Sequence, residues 1–424
     1  MDKKMAMQKK DRIIFHCDNN GFYASVEESL YPELKKVPMA VCGDPESRRG
    51  IILAKNELAK AKGVKTAETI WQAQRKCPHL VLRPARHHLY REYCENINAI
   101  YQQYSPQVER GGIDESFIEM TGCLHLFGGD ALTAADEIRE RIHREIGVTI
   151  SVGISWNKIF AKLGSDTAPS NAVQMITREN YKQVVWTKPV SALLMVGKST
   201  RERLRALHIE TIGDLANADV DRLKYKLDSM GEILWKHANG LDDEPVRYTG
   251  DCDPPKSIGN GRTFKRNLVS QEDIRIALTA LCDMVAARMR RADMKCSSVQ
   301  VTIKDTHLKS ITRQKGIPSP TWLAADLFKE SLALVHASWP EGKPIRMLTV
   351  TAQKLTPADQ SPDQLTLFEQ EQKAKERLER LEAAVNTIRN KFGSGSISHA
   401  NLVKNDLGLD EGDDPEQEEP DTDK

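Results

Sequence analysis

No run of about 18 consecutive apolar residues occurs in this 424-residue chain, so no helix of it is expected to cross a membrane. Its first ten residues, MDKKMAMQKK, carry charge with no apolar stretch behind them, which excludes a secretory signal. Cysteine is sparse, and its eight positions include no C-x-x-C pair and no histidine partner at zinc spacing. That argues against a disulfide or zinc scaffold and for reduced, mostly buried thiols in a cytoplasmic protein. Net charge is also nearly absent, at +1, but this balance hides an asymmetry. Residues 405–424 hold ten acidic residues and one lysine, a local −9, so the preceding 404 residues carry +10. A basic body is consistent with nucleic-acid binding, and the Asp-, Glu- and Pro-rich end is expected to be disordered. With 40% hydrophobic content, the remainder is long enough for three or four globular domains.

What is present is concentrated in two stretches. Arg12–Cys17 is an apolar, β-branched run suited to one buried strand, and Asp18 stands where it should end. Asn19, Asn20 and Gly21 favour a turn, after which Phe22, Tyr23, Ala24 and Val26 start a helix. A carboxylate at the mouth of a sheet can hold a metal ion beside a flat ligand; it can equally cap the helix. The second stretch, Gly111-Gly112-Ile113-Asp114-Glu115-Ser116-Phe117, lies between extended runs at Gln107–Arg110 and Ser116–Met120. As the tip of a hairpin it presents two adjacent carboxylates. Mg²⁺ prefers a few carboxylate oxygens with waters and substrate phosphates over a closed protein cage. Three carboxylates from two strand ends therefore suit a two-metal phosphoryl-transfer site.

DNNGFYASVEE, then GIDESFIEMTG, then SVGISWNKIFAKLGSD resembles the Y-family translesion DNA polymerases, in the bacterial branch of DNA polymerase IV and the SOS mutagenesis polymerases. The likeness runs over roughly residues 12 to 355. It implies an α+β multidomain, right-hand polymerase with a βαββαβ-like palm, small fingers, a helix-hairpin-helix thumb and a β/α little finger. It further implies that Asp18 and Asp114 ligate two Mg²⁺ ions, with Glu115 the catalytic carboxylate beside them and Asn19 offering its backbone carbonyl. Tyr23 matches the aromatic steric gate beneath the sugar, with Phe22 next to it. Asn20 stands where polymerase IV usually has Asp and the SOS branch has Asn.

The resemblance implies a frayed lead over 1–11, a palm at 12–30 and 85–186, fingers at 31–84 and a thumb at 187–250. A linker at 251–255 and a little finger at 256–355 follow, then a linker with a helix at 356–403 and the acidic tail at 404–424. In the fingers, Val37–Gly43 and Ile51–Ala54 read as strands, and the helix Asn56–Lys62 stops at Gly63. Arg48-Arg49-Gly50 reads as a solvated turn between the strands, or as a phosphate contact. Here the chain departs from its relatives. The fingers Tyr and Arg that reach the triphosphate in many members are Glu57 and Lys60, and a palm lysine is replaced by Pro169. Lys60 still offers a point charge, without the bidentate fork of arginine. Lys55 and Lys162 are candidates to compensate.

Further along, Leu89–Tyr104 and Asp130–Ile146 show helical periodicity, and Val148–Gly153 is a β-branched strand. Gly197 and Lys198 open a helix whose amides suit a DNA phosphate; the G-K-S-T there lacks the upstream glycine of a P-loop. The second β/α unit carries a basic set, Lys265, Arg266, Arg290, Arg291, Lys309 and Arg313, expected to contact DNA backbone or solvent. Gln364, Leu365, Leu367 and Phe368 match the bacterial sliding-clamp peptide Q-L-x-L-F. A helix over Gln370–Phe392 follows, with Leu378, Leu381, Val385 and Ile388 on one stripe.

The function expected is low-fidelity, template-directed DNA synthesis past lesions from dNTPs, by a monomer recruited to a sliding clamp. A non-catalytic clamp- or DNA-binding factor is the alternative in another class. A nucleotide cyclase, suggested by the faint likeness of GGIDESF to G-G-[DE]-E-F, would need no thumb, little finger or clamp peptide.

Overall fold

The computed structural model describes residues 11–44, 50–251, 253–360, 369–403 and 405–409, without the side chains of 369–376 and Ser394. The clamp peptide, the Arg48-Arg49 turn, residues 1–10 and the acidic end from 410 lie outside the described residues. The chain divides into two units, residues 1–43 with 51–252, and residues 44–50 with 253–424.

The first unit opens with β1 (Ile14–Asn19) and α1 (Phe22–Leu30). A small sheet follows, made of β2 (Met39–Cys42), β3 (Ile52–Lys55) and, beyond α2 (Glu57–Ala61) and α3 (Ile70–Lys76), β4 (Val81–Pro84). Then come α4 (His87–Tyr101), β5 (Val108–Arg110), β6 (Glu115–Glu119), α5 (Ala131–Ile146), β7 (Ile150–Ser155), α6 (Lys158–Thr167) and β8 (Val173–Met175). The five-stranded sheet has the order β5-β6-β1-β7-β8, the split βαββαβ arrangement with an extra edge strand. Both faces of β1 are covered, which is why Ile14–Cys17 is apolar without alternation. Five helices complete the unit: α7 (Tyr181–Val184), α8 (Lys198–Arg205), α9 (Ile212–Ala216), α10 (Val220–Leu227) and α11 (Ser229–Ala238). They bury Leu204, Ile212, Leu223 and Leu234 around Trp156 and, on α6, Phe160.

One close approach sets the geometry of the site. At Gly153 on β7 there is no space for a Cβ, because the Ala161 carbonyl oxygen would lie 1.9 Å from it and the Ser165 amide 2.4 Å. Gly164 meets Gly153 from the helix side. Two glycines therefore let α6 lie against the sheet, backbone to backbone, with Lys162, Ser165 and Asp166 along the carboxylate edge.

The second unit is a four-stranded sheet, β11-β10-β12-β9, formed by β9 (Ser257–Leu268), β10 (Met294–Lys304), β11 (Ser310–Thr321) and β12 (Ile345–Pro357). It is packed by α12 (Gln271–Arg291) and α13 (Ala324–Ser338). The strand β11 lies at the sheet edge, paired with β10. The last helix, α14 (Glu369–Phe392), falls where its periodicity places it. Its apolar stripe is not fully buried: Leu378, Leu381 and Ile388 are exposed, and Leu378, Leu381 and Val385 line a cavity of about 380 Å³ against α12 and α13.

Charged contacts hold α14 instead. Arg290 pairs with Glu382, and Arg389 Nη1 lies 2.7 Å from Asp283 Oδ2. Two members of the expected basic set have acidic partners within the protein. Arg290 is committed to α14, and Arg266 is spent on Asp273 at 2.8 Å and Asp406 at 2.6 Å. Residues 405–409 also differ from a disordered tail. Leu407 is buried in the core and its carbonyl accepts from the Lys265 amide at 3.1 Å, because Asp406 has Arg266 as a partner.

His399 adds a pH dependence to this end of the unit. Contact with Asp283 raises its pKa above the usual 6.5, against the opposing effect of burial. A raised folded value contributes stability fully below the unfolded pKa, and that contribution is lost as pH rises through the folded one. The amount is below about 1 kcal/mol, because the imidazole is half-exposed and screened. Hydrogen exchange of α14, corrected for intrinsic rates, should show protection falling as pH rises above the ordinary histidine range in the wild type and changing less in His399→Ala. Equal pH responses in the two proteins would remove His399 from the account.

Candidate active site

Register brings the separated carboxylates together. In the antiparallel ladder of β1 with β6, Asp18 pairs directly with Glu115, and Asp114 precedes Glu115 at the strand entrance. Directly opposed residues of neighbouring strands sit about 5 Å apart at Cα. The loop holding Asp114 is tied to the end of β1, since its carbonyl oxygen accepts from the Asn19 amide at 2.9 Å and from Asn19 Nδ2 at 2.8 Å. Asn20 does a different job. Its Nδ2 donates to Ser151 Oγ at 2.8 Å and its Oδ1 accepts from the Asn171 amide at 2.8 Å, fastening the turn to β7.

Asp18 does not cap α1; Gly21 is the cap residue, with φ of 56°, and no side chain accepts there. A Cβ on Gly21 would sit 3.0 Å from the Lys55 carbonyl oxygen, so both conformation and space call for glycine. That contact brings β3 over the turn. Between them lies a pocket of about 660 Å³ lined by, among others, Asp18, Asp114, Asp166, Tyr23, Lys55 and Lys60.

The pocket has an acidic and a basic end. Burial, reinforced by Asp114 and Asp166, pushes the Asp18 carboxyl up to about 7. Asp114 is raised as well, first by burial and also by Glu115. Glu115 goes the other way, held down to about 2 by contact with His16 and by Lys162. At the far end Lys55 Nζ donates to Thr66 Oγ1 at 3.0 Å, and its pKa is lowered by burial and by the neighbouring charge of Lys60. Lys60 is largely exposed and pairs with Glu57 at 3.1 Å. Of the two candidates to compensate for the altered fingers, Lys55 lines the pocket, while Lys162 turns to Glu115.

Tyr23 is half-buried beside the carboxylates. Its ring stacks on Tyr90 at 4.1 Å and 14° and meets His87 edge-on at 5.9 Å. Tyr90 is itself fixed, for its hydroxyl donates to Glu27 at 2.8 Å and Arg86 grips the same carboxylate with two bonds of 2.7 and 3.0 Å. Glu27 is fully buried, and so is Phe22 apart from 3% of its surface. The platform under the pocket is therefore rigid.

Among the described residues, no three His, Cys, Asp or Glu side chains close on a point as a preformed metal cage. The donor set still suits Mg²⁺, which needs only a few oxygens from protein. Asp18 and Asp114 face one pocket, and Asn19 Oδ1 beside them is buried without a hydrogen-bond partner. Glu115 is drawn aside by Lys162 Nζ at 2.5 Å and His16 Nε2 at 3.4 Å. His16 and Ser165, bonded at 2.6 Å, were missed in the sequence, where His16 is one more residue of an apolar strand. The remaining expected residues lie elsewhere. Gly197 and Lys198 start α8, with no side chain capping it. Lys265, Arg266 and Arg313 belong to the second unit, Arg313 exposed on the edge strand β11.

Comparison with known proteins follows this geometry closely. The impB/mucB/samB family model matches residues 17–166, and the model of that family's C-terminal domain matches residues 255–367. A protein named DNA polymerase IV from Acetivibrio thermocellus is 43% identical over 94% of this chain and 99% of its own length. DNA polymerase IV 2 of Bacillus subtilis is 36% identical over 92% of this chain and 94% of its own. A solved Y-family DNA polymerase chimera superimposes with a TM-score of 0.71 at 21% identity, covering 81% of this chain and 99% of that one. The first of the two matches begins one residue before Asp18 and ends at Asp166, so it takes in every carboxylate of the site. This protein is a member of the impB/mucB/samB family and has the fold of a Y-family DNA polymerase.

Proposed function

We propose that this protein is a DNA-directed DNA polymerase for translesion synthesis, and that Asp18, Asp114 and Glu115 carry its nucleotidyl transfer. The observation behind the assignment is the pairing of Asp18 with Glu115 beside a pocket that Asp18, Asp114 and Tyr23 line. Asp18, Asp114 and the Asn19 carbonyl would hold two Mg²⁺ ions, with Glu115 completing the set at the primer terminus. Bound there, the ions supply activation of the primer 3′-oxygen and neutralisation of the phosphates. Tyr23 sets the floor under the dNTP sugar, with Phe22 behind it, and Lys60 offers charge to the triphosphate. Primer-template DNA would lie along distributed phosphate contacts, including the Gly197–Lys198 helix start and the basic residues Lys265 and Arg313. The protein would act as a cytoplasmic monomer; no described helix is long and apolar enough to cross a membrane.

Primer extension with Mg²⁺ on undamaged and abasic templates tests the reading. Extension on both is the expected result. Tight DNA binding without any nucleotide addition would instead support a non-catalytic DNA- or clamp-binding factor.

Recruitment to the sliding clamp is assigned to Gln364, Leu365, Leu367 and Phe368. Three large apolar side chains in an otherwise polar connection suit a partner pocket. Binding through so short a segment should be weak, and its benefit should appear as processivity through raised local concentration. Replacing Leu367 and Phe368 together by Ala should leave single-nucleotide insertion unchanged and remove clamp-stimulated synthesis. Reduced thermal stability with clamp stimulation intact would show that the pair packs on the protein itself.

A further inference from the structure

The acidic edge of the palm sheet has a cation built into it. Lys162 lies on α6, four residues and about one turn before Asp166. Its ammonium reaches Glu115 Oε2 at 2.5 Å and Asp166 Oδ1 at 3.5 Å, and its charge also acts on Asp18 and Asp114. The side chain is only 18% exposed, so this is a seated lysine and not a passing surface contact. The seat is made by the glycine contact between α6 and β7 and by a second set of bonds behind it. Ser165 Oγ lies 2.8 Å from the Lys162 carbonyl oxygen and 2.6 Å from His16 Nδ1, and His16 Nε2 is 3.4 Å from the same Glu115 oxygen.

An ammonium and a divalent ion compete for such an oxygen. Each answers the mutual repulsion of several carboxylates gathered in a part-buried place. A divalent ion beside Glu115 draws on the same negative charge as the Lys162 ammonium and repels that ammonium as a like charge. Arrival of an ion therefore weakens the hold of the lysine on Glu115, and Asp166, already 3.5 Å from the ammonium, offers it a neighbouring partner.

We propose that Lys162 is a resident counter-ion of the carboxylate cluster, holding Glu115 in the metal-free enzyme and yielding that oxygen, toward Asp166, when a divalent cation binds. Lys162 thus sets the Mg²⁺ concentration at which the site loads. The inference rests on the metal-site assignment made under the proposed function. Lys162 is in this account a positioning residue, acting through Glu115.

The test is a Mg²⁺ titration of the full chain without DNA or nucleotide, followed by calorimetry and by the melting temperature. Lys162→Met, of similar length and without charge, should load at a Mg²⁺ concentration about tenfold lower than wild type, the effect of removing one nearby positive charge. It should also melt lower than wild type in the absence of Mg²⁺ and recover as Mg²⁺ is added. Lys162→Gln provides the same comparison should the Met variant fold poorly. Lys162→Arg keeps the charge and should load within about twofold of wild type, which a merely structural role for the side chain would not require. Asp114→Ala, run alongside, reports whether the ion binds at this site. A wild type and a Lys162→Met protein with the same midpoint, both losing Mg²⁺ binding in the Asp114→Ala background, would overturn the counter-ion alone. Equal Mg²⁺ binding by wild type and Asp114→Ala would overturn the metal-site assignment and the counter-ion with it.

Discussion

Asp114→Ala is expected to lower the rate of nucleotide addition by roughly 10³-fold or more while leaving affinity for primer-template DNA close to wild type. The loss follows from geometry. Asp114 lines the acidic end of the pocket, and its backbone is tied to Asn19, which fixes where its carboxylate stands. DNA affinity comes from many phosphate contacts spread over the protein and does not depend on one ligand of an ion. Asp18→Ala and Glu115→Ala should behave alike in the same assay. The variants differ in stability, and this gives a second readout. Without metal, Asp114 and Asp18 repel each other in a part-buried site, so Asp114→Ala should melt at or above the wild-type temperature. Glu115→Ala should not share that gain, because it strands the ammonium of Lys162. Near wild-type extension by Asp114→Ala would remove this residue from the chemistry.

Tyr23→Ala is expected to raise ribonucleotide incorporation relative to deoxynucleotide incorporation by roughly 10–100-fold. The ring is held flat on Tyr90, and Tyr90 is held by the buried Glu27 that Arg86 neutralises. A side chain fixed from below has little freedom to make way for a 2′-hydroxyl, and its removal opens that space directly. Because Tyr23 is only half-buried, truncation should cost less stability than the ~3–5 kcal/mol typical of a buried aromatic. Kinetics with matched dNTP and rNTP pairs and a melting curve separate the two roles. Equal loss of both substrates in a variant that melts early would make Tyr23 a packing residue.

Much of this was legible in the amino-acid order because the signals are local. The β-branched run ending at Asp18, the Asn-Asn-Gly turn and the acidic hairpin are each set by a few consecutive residues. Their strands and helices appear within a few residues of expectation, as with α5, expected from Asp130 and found from Ala131, with Asp130 as its cap. The fold class was implied by the resemblance of those stretches to a known polymerase family. Partners were decided by the tertiary structure. A one-residue slip of β6 against β1 would turn every side chain to the opposite face, and only the assembled sheet sets Asp18 against Glu115. Long cationic side chains were the least legible, since an ammonium or guanidinium can swing over several ångströms and takes the nearest carboxylate that packing provides. Lys162 had Glu115 brought beside it by the contact of Gly153 with α6, and so turned to the metal carboxylates and not to a triphosphate. Arg266 and Arg290, expected to meet DNA or solvent, found Asp406 and Glu382 from segments 92 or more residues further along the chain. Local sequence determined which elements form and where the acids stand in them; close packing of those elements decided which charges meet.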